Sequence, residues 1–471
     1  MPSQNNPLFL LAILALTTTM LLGCGSDQPD PSANNKPVDR EKRNKERAQA
    51  AFVKRLAQDI ADYNRIKHRG DGSAPFLLTV YDLRIEEWLE AAQQGRPEGQ
   101  LLIADCMLQG IGGEKQPAEA ERLLRLAANQ RFSPAQSLLG LYYYFGWGGK
   151  NDPAEAVRWL KLAAEQGNTE SQYYLGHCYA KGEGIAKDLK AAVRWYRLAA
   201  AEGSALAQFE LAACYAQGNG VAQDLEEAVR LHQSAADKGL AMAIYELGVA
   251  HAKGLGVAQD TNKAFKFYLL AADKDIVSAQ LRLGDCYALG LGTERNMKEA
   301  AHWYRIVADS CSALGQLKLA ECYSAGYGVE KDLAQAAKLY RLAADQGFPP
   351  AQYMMADLLS TGRGVEKNQA EAARQYLQAA SQNYAPAQYR LGNCYEYGQG
   401  VAKDMTEAAR WYRLAAEQNY SSAQYKLASC YANGTGVPHD RDEAIHLYRL
   451  AADQGHSVAK KVLAEMLGNK E

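Results

Sequence analysis

Nine cysteines and eight histidines are the residues of this 471-residue chain with the most chemistry to offer. A metal site would need them at convergent spacing, as in H-E-x-x-H or C-x-x-C, and neither pattern occurs. Instead Cys106, Cys178, Cys214, Cys286, Cys322, Cys394 and Cys430 recur at multiples of 36 residues. With one such cysteine per interval, a disulfide within an interval is excluded. A bridge between intervals would need Cα atoms within about 6 Å, closer than packed helices allow. These seven therefore read as small apolar packers with free thiols. Cys311 stands apart, where other intervals carry a glycine. His302 and His446 share a place in the interval, which suits packing or surface rather than ligation.

Gly-x-Gly pairs recur ten times in the 36-residue register, from Gly110/Gly112 through Gly182/Gly184 to Gly434/Gly436. They do not form a phosphate cradle, since each follows a helical pattern rather than a strand and lacks the P-loop lysine. Arg69-Gly70-Asp71 matches an adhesion tripeptide, but three letters arise easily by chance. No nucleophile–base constellation appears, so a cell-wall or β-lactam hydrolase is disfavoured, and no catalytic residue, metal or cofactor is expected. A net charge of −2 is incompatible with an electrostatic grip on nucleic acid.

The elements that position these residues are set by one repeated unit. Leu-Gly or Leu-Ala recurs at Leu139-Gly140, Leu175-Gly176, Leu211-Ala212, Leu247-Gly248, Leu283-Gly284, Leu319-Ala320, Leu391-Gly392 and Leu427-Ala428, always in steps of 36 or its multiples. In 171–203, Leu175, Gly176, Cys178 and Tyr179 lie at helical spacing and form one face of a first helix. Gly182 and Gly184 end it, because glycine accepts the left-handed conformation of a helix C-terminus. Asp188 caps a second helix, whose apolar side is expected to be Trp195, Leu198, Ala199 and Ala200, and Gly203 stops it. In seven of ten units an Asp or Asn is followed three residues later by Glu or Gln, as in Asp224/Glu227 and Asp404/Glu407, which is the capping-box pattern. The expected fold is all-α: an α/α solenoid superhelix of about ten 36-residue helix–turn–helix repeats over 99–471, with 82–98 as an amino-terminal half-repeat and Val458–Leu467 as a carboxy-terminal cap. Residues 41–81 are irregular. The Lys-, Arg-, Glu- and Ala-rich 41–66 read as a charged helix that either folds back on the solenoid or stands free.

Residues 7–23 form an apolar run too short for a comfortable membrane span and ending at Leu21-Leu22-Gly23-Cys24. Leu-Leu-Gly-Cys resembles the bacterial lipobox, although no Lys or Arg precedes the run. The resemblance implies a signal peptide over 1–23 and a lipid on Cys24. Gly25 rather than Asp implies the outer membrane, with the protein facing the periplasm. Residues 24–40, with three prolines among polar residues, read as a flexible tether. The alternative is an uncleaved amino-terminal anchor.

Trp159, Trp195, Trp303 and Trp411 recur with the repeat and are expected in the core. One stretch departs from it. Leu138, Leu141, Tyr144, Phe145 and Trp147 are apolar, whereas Leu141 has the equivalents His177, Asp285, Glu321, Asp357, Asn393 and Ser429, and Phe145 has Lys181, Gln217, Lys253 and Asn433. They are candidate partner-binding residues, exposed apolar anchors on a scaffold, unless the amino-terminal segment covers them.

With these residues laid out, the unit A-Q-Y-x-L-G-x-C-Y-x-x-G-x-G-V-x-x-D-x-x-x-A-x-x-W-Y-x-L-A-A closely resembles the Sel1-like repeat, a relative of the tetratricopeptide repeat. The resemblance covers roughly Asp82 to Leu467 and is closest over Ala387–Gln418. It implies an α/α superhelix that acts by protein–protein contact, as an adaptor in envelope assembly or secretion or as a secreted effector that meets host protein. No particular partner follows from it.

Overall fold

The computed structural model describes residues 85–110, 114–149 and 151–468. The expected signal peptide, Cys24, the tether and the irregular segment 41–81 lie outside these residues. The described residues form 22 α-helices and no strand. A single helix, α1 (Ile85–Gln93), comes first and holds Trp88 and Ala91 in the core. Hairpins follow: α2 (Pro97–Gln109) with α3 (Pro117–Asn129), α4 (Ser133–Phe145) with α5 (Pro153–Glu165), and α6 (Thr169–Lys181) with α7 (Leu189–Ala201). Next come α8 (Ala205–Gln217) with α9 (Leu225–Asp237), α10 (Ala241–Lys253) with α11 (Thr261–Ala272), and α12 (Val277–Leu289) with α13 (Met297–Asp309). The series continues with α14 (Ala313–Ala325) and α15 (Leu333–Asp345), then α16 (Pro349–Thr361) and α17 (Gln369–Ser381). It closes with α18 (Ala385–Tyr397) and α19 (Met405–Glu417), α20 (Ser421–Asn433) and α21 (Arg441–Asp453), and an unpaired α22 (Ser457–Gly468).

The chain divides into two compact units. One runs through Ala243 and takes in Leu255–Val257; the other comprises Ile244–Gly254 and the chain from Ala258 onward. Within each, successive hairpins stack, as where α4 packs on α3 and α5, and α19 on α18 and α20.

The joint between the two helices of a hairpin is built from three local bonds. In α6 the N–H of Gly182, at φ +79°, donates to the Cys178 carbonyl at 2.8 Å and ends the helix. The Asp188 carboxylate accepts from the N–H groups of Lys190 and Ala191 at 2.9 and 3.0 Å and starts α7. The N–H of Asp188 itself donates to the Tyr179 carbonyl at 3.0 Å, and Asp224, Asn296, Asp404 and Asp440 repeat this bond. That last bond corrects the capping-box expectation. The glutamate three residues on is not needed by the cap's N–H, so it turns to its own helix: Glu155 accepts from Arg158 and Trp159, and Glu407 from Arg410. The second glycine of each pair also has a reason the sequence alone does not show. A Cβ on Gly184, at φ +70°, would lie 2.0 Å from the Pro153 carbonyl oxygen, so the joint rests directly on the main chain that opens the preceding hairpin's second helix.

The core places small residues opposite rings. A Cβ on Gly176 would meet the Tyr196 ring at 2.7 Å, and Tyr196 is among the most deeply buried side chains. This corrects the expected second-helix face. Leu198, two residues and about 200° around the helix from Tyr196, is 49% exposed, while Ala191, Ala192, Val193 and Ala199 are buried with the tyrosine. Trp159 and Trp411 are buried as expected, but Trp195 and Trp303 are only half-buried, while the tyrosines one position later, Tyr196 and Tyr304, are buried.

Candidate functional site

The first helices present two opposed sides. Residues four and eight of each, such as Gln172 and Gly176, face the second helices; residues two, six, nine and thirteen share the other side, at i, i+4, i+7 and i+11. In the later repeats that second side is polar and linked from one repeat to the next. Asp357 accepts from Arg363 at 2.6 Å and from Arg390, one repeat on, at 3.1 Å. Lys426 donates to both oxygens of Glu396 at 2.9 Å and to the Tyr397 hydroxyl at 2.9 Å. Lys426 and Tyr412, which donates to Glu396 at 2.5 Å, help hold that carboxyl below its ordinary range although burial opposes them.

In α4 and α6 the same side is aromatic. Phe145 and Trp147 stack at 5.4 Å with planes 22° apart, Tyr174 meets Phe145 edge-on at 5.6 Å and lies tilted against Tyr144 at 5.2 Å, and the Tyr144 hydroxyl pairs with Nδ1 of His177 at 2.9 Å. The five candidate partner-binding residues separate here. Phe145 is 39% exposed, and Tyr144 and Trp147 are half-buried. Leu138 and Leu141, at 6% and 2% exposure, belong to the core cluster and are closed to a partner, contrary to the expectation of one exposed patch. Tyr173 and Tyr174, which the sequence comparison passed over, complete the aromatic group; Tyr174 stands where Arg282, Arg390 and Lys426 stand in later repeats, and that contrast was available.

The cysteines fall as the repeat dictates. Among the eight in the described residues all are free; Cys106, Cys178, Cys286, Cys322, Cys394 and Cys430 are buried, Cys214 is half-buried and Cys311 is exposed. Burial pushes the thiols of Cys106 and Cys178 up to about 12 and those of Cys214, Cys286, Cys322 and Cys394 to about 11, which keeps them protonated and unreactive. Cys311 adopts φ +62° at the place where Gly167, Gly203 and Gly347 also have positive φ. Among the described residues no group of three or more His, Cys, Asp or Glu is arranged to hold a metal ion, and no helix is long and apolar enough to cross a membrane.

Comparison with known proteins agrees with this architecture. The Sel1 repeat matches ten times in succession, over residues 97–132, 133–168, 169–204, 205–240, 241–276, 277–310, 313–348, 349–384, 385–420 and 421–456. No curated protein matches the sequence. Among solved structures, a protective antigen of uropathogenic Escherichia coli with an SLR fold is 29% identical, with a TM-score of 0.57, covering 82% of this chain and 91% of its own. A Sel1 repeat protein from Oxalobacter formigenes is 31% identical, with a TM-score of 0.54, covering 67% of this chain and 94% of its own. Repeats of this kind bind other proteins and are generally non-catalytic. With ten matched repeats spanning most of its length, this chain belongs to the Sel1 repeat family.

Proposed function

We propose that this protein is a lipid-anchored scaffold of the bacterial cell envelope that gathers other proteins in an assembly or secretion pathway. The observation that carries the binding role is the Phe145–Trp147 stack. Two large rings lie partly in water and stack on each other at the end of α4, where four other repeats place Lys181, Gln217, Lys253 and Asn433 and two place the single exposed side chains Leu289 and Tyr397. Aromatic side chains held rigid by neighbouring rings lose little entropy when a partner covers them, which makes them good anchors. The anchor itself rests on Leu21-Leu22-Gly23-Cys24 alone. A lipid at Cys24 followed by the polar 25–40 would hold the repeats near the outer membrane, facing the periplasm.

The test has two arms. Radiolabelled palmitate should mark the wild-type chain and not Cys24→Ser, and the label should fractionate with the outer membrane; unlabelled protein would remove the anchor from the proposal. Crosslinking in envelope extracts should yield the same protein partners repeatedly with wild type and lose them with Phe145→Ser/Trp147→Ser. Wild-type protein that captures nothing reproducibly would defeat the scaffold role. A surface or secreted effector is the second reading, favoured by the similarity to a protective antigen. Digestion of the chain by protease added to intact cells would select it over the periplasmic placement.

A further inference from the structure

Two positions around α16 break the repeat together. In four repeats the arginine at the ninth place of a second helix donates to the hydroxyl of the tyrosine at the eleventh place of the next first helix. Arg197 does so to Tyr215, Arg305 to Tyr323 and Arg413 to Tyr431, each at 2.9 Å, and Arg125 makes the same bond to Tyr143. The guanidinium also lies over the ring, 5.7 Å from the Tyr215 centroid and 6.0 Å from that of Tyr431. Arg341 in α15 holds this place, but the residue due to meet it is Leu359. Among the described residues Arg341 makes no hydrogen bond. It lies within electrostatic reach of Glu371, which Arg374 already holds. Arg449 is likewise followed by a leucine, Leu467, but α22 has no second helix and the stack ends there. The other departure is Gln375, the seventh residue of α17, where the second helix of every other hairpin has Trp, Phe or Leu. The two places adjoin: their counterparts in the α10–α11 hairpin, His251 and Phe267, stack at 5.5 Å with planes 10° apart. Gln375 keeps the kind of bond that Trp159 makes to Glu155, donating to Glu371 at 3.2 Å, but its Oε1 is out of solvent and accepts nothing.

Where those rings are missing there is a groove of about 1060 Å³, lined by Arg341, Met355, Leu359, Val365, Lys367 and Gln375. Met355, Leu359 and Val365 make it apolar on one side, and Arg341 brings a guanidinium with donors to spare. The volume is at the upper end for a ligand site and exceeds what one ring needs, so main chain on either side of a ring fits as well. What the groove lacks is shown by the other repeats: a flat ring against apolar side chains, under a guanidinium, with a hydroxyl oxygen that accepts from it. An aliphatic side chain supplies neither ring nor acceptor. A carboxylate or phosphate would satisfy Arg341 but would leave the apolar side bare, and Glu366 and Glu371 at the rim repel it. We propose that this groove receives a tyrosine side chain from an extended segment of a partner protein, its ring on Met355, Leu359 and Val365 and its hydroxyl oxygen accepting from Arg341. The inference holds whether or not Phe145 and Trp147 bind a partner, and whether or not Cys24 carries a lipid.

Methyl NMR of the full chain, labelled at its methionines, tests it. The Met355 methyl, identified by its loss in Met355→Leu, is the reporter, and Met354, on the other side of α16, is the control. A blocked pentapeptide with one tyrosine at the centre of four alanines should shift the Met355 signal saturably at concentrations up to about 10 mM and leave Met354 in place. The same peptide with phenylalanine should bind at least about threefold more weakly, because it cannot accept from Arg341. Arg341→Gln, at an exposed position, should bring the tyrosine peptide down to the level of the phenylalanine one. Leu359→Tyr fills the groove with the chain's own ring and should abolish the response to both. If Leu359→Tyr does not fold, Gln375→Trp, the residue of four other hairpins, is read in the same way. A wild type without a saturable Met355 shift overturns the proposal. So do equal affinities for the two peptides, or a filled groove that still responds. A phosphotyrosine peptide that binds where the tyrosine peptide does not would assign the groove to an anion and overturn it equally. None of these results bears on capture through Phe145 and Trp147, so the two binding roles fail separately.

Discussion

The side-chain amide of Gln166 donates to the side-chain oxygen of Gln136 across 2.6 Å, while Gln136 donates to the main-chain carbonyl of Ala128 in the preceding repeat at 3.1 Å. One buried glutamine thus fastens the ends of two second helices that belong to different repeats. The pattern recurs: Gln418 donates to Gln388 at 2.7 Å and Gln388 to the Ala380 carbonyl at 3.2 Å, and Gln454 to Gln424 at 2.7 Å and Gln424 to the Ala416 carbonyl at 3.4 Å. A leucine or an alanine in the place of Gln388 would remove both bonds, leaving the Ala380 carbonyl with the Asn383 N–H and the Gln418 amide with Asn383 and the Leu414 carbonyl.

Gln388→Leu should therefore cost about 1–3 kcal/mol, although it adds apolar surface to a residue that is 2% exposed. Urea unfolding followed by circular dichroism would measure the loss. A variant as stable as wild type would show that the glutamine relay contributes nothing.

Two glycines with similar φ should answer differently to alanine. Gly328, at φ +72°, would place a Cβ 1.8 Å from the Met297 carbonyl oxygen, whereas Gly455, at φ +89°, has nothing within 4 Å. Gly455→Ala carries only the cost of a left-handed alanine, about 1 kcal/mol. Gly328→Ala carries that and a main-chain displacement, so it should lose clearly more, about 3 kcal/mol or above. Equal losses in denaturant titration would mean that the joint does not rest on the preceding helix.

The apolar stretch of α4 should split by depth. Leu138→Ser and Leu141→Ser each remove a buried side chain and should cost about 2–4 kcal/mol. Phe145→Ser/Trp147→Ser should lower the melting temperature much less and act chiefly on partner capture. A collapse of stability in the aromatic pair would place those rings in the core.

Glu170 gives a pH signature. Its carboxyl is raised by burial from 4.5 to about 8, so the folded state holds a proton that the unfolded chain releases. Its contribution is complete below about 4.5 and is lost as pH rises towards 8. Glu170→Gln should accordingly gain stability over wild type on going from pH 5 to pH 8, read as a widening difference in urea midpoints. A pH-independent difference would place the carboxyl in water.

Thiol labelling separates Cys311 from the ladder. At pH 8 and without denaturant, iodoacetamide should modify Cys311 and spare the seven thiols at the repeat position. Above about pH 9 stability should fall, because unfolded thiols ionise there while buried ones hold their protons to about 11 or 12. Modification of Cys178 or Cys394 at a rate close to that of Cys311 would contradict their burial.

Much of this was legible in the sequence because it is local. The 36-residue register, the glycine that ends each first helix and the Asp that starts each second one depend on bonds within a few residues. What escaped depends on neighbours. Periodicity put Leu198 and Trp195 on the apolar side of α7, but Gly176 across the interface admits only the ring of Tyr196. The second glycine of Gly182/Gly184 answers to Pro153, about thirty residues earlier and in another hairpin. The capping-box glutamates Glu155 and Glu407 lost their expected role because Tyr143 and Tyr395, in the other helix, had already supplied the bonds to Asp152 and Asp404. Leu138 and Leu141 differ from their repeat equivalents in the sequence, and that difference marks a real departure; whether it faces water is fixed by packing rather than by composition.

The row of free thiols, each kept in its own hairpin, gives the folded chain a memory that it cannot recover once lost. While the repeats are intact, no two of these sulfurs meet and oxidant finds them protonated and enclosed. When the helices open, they become many equivalent partners with no preferred match, and any crosslink formed between mismatched repeats would block refolding. In an oxidising medium the lifetime of this protein is then set by the rate of its first opening rather than by its equilibrium stability.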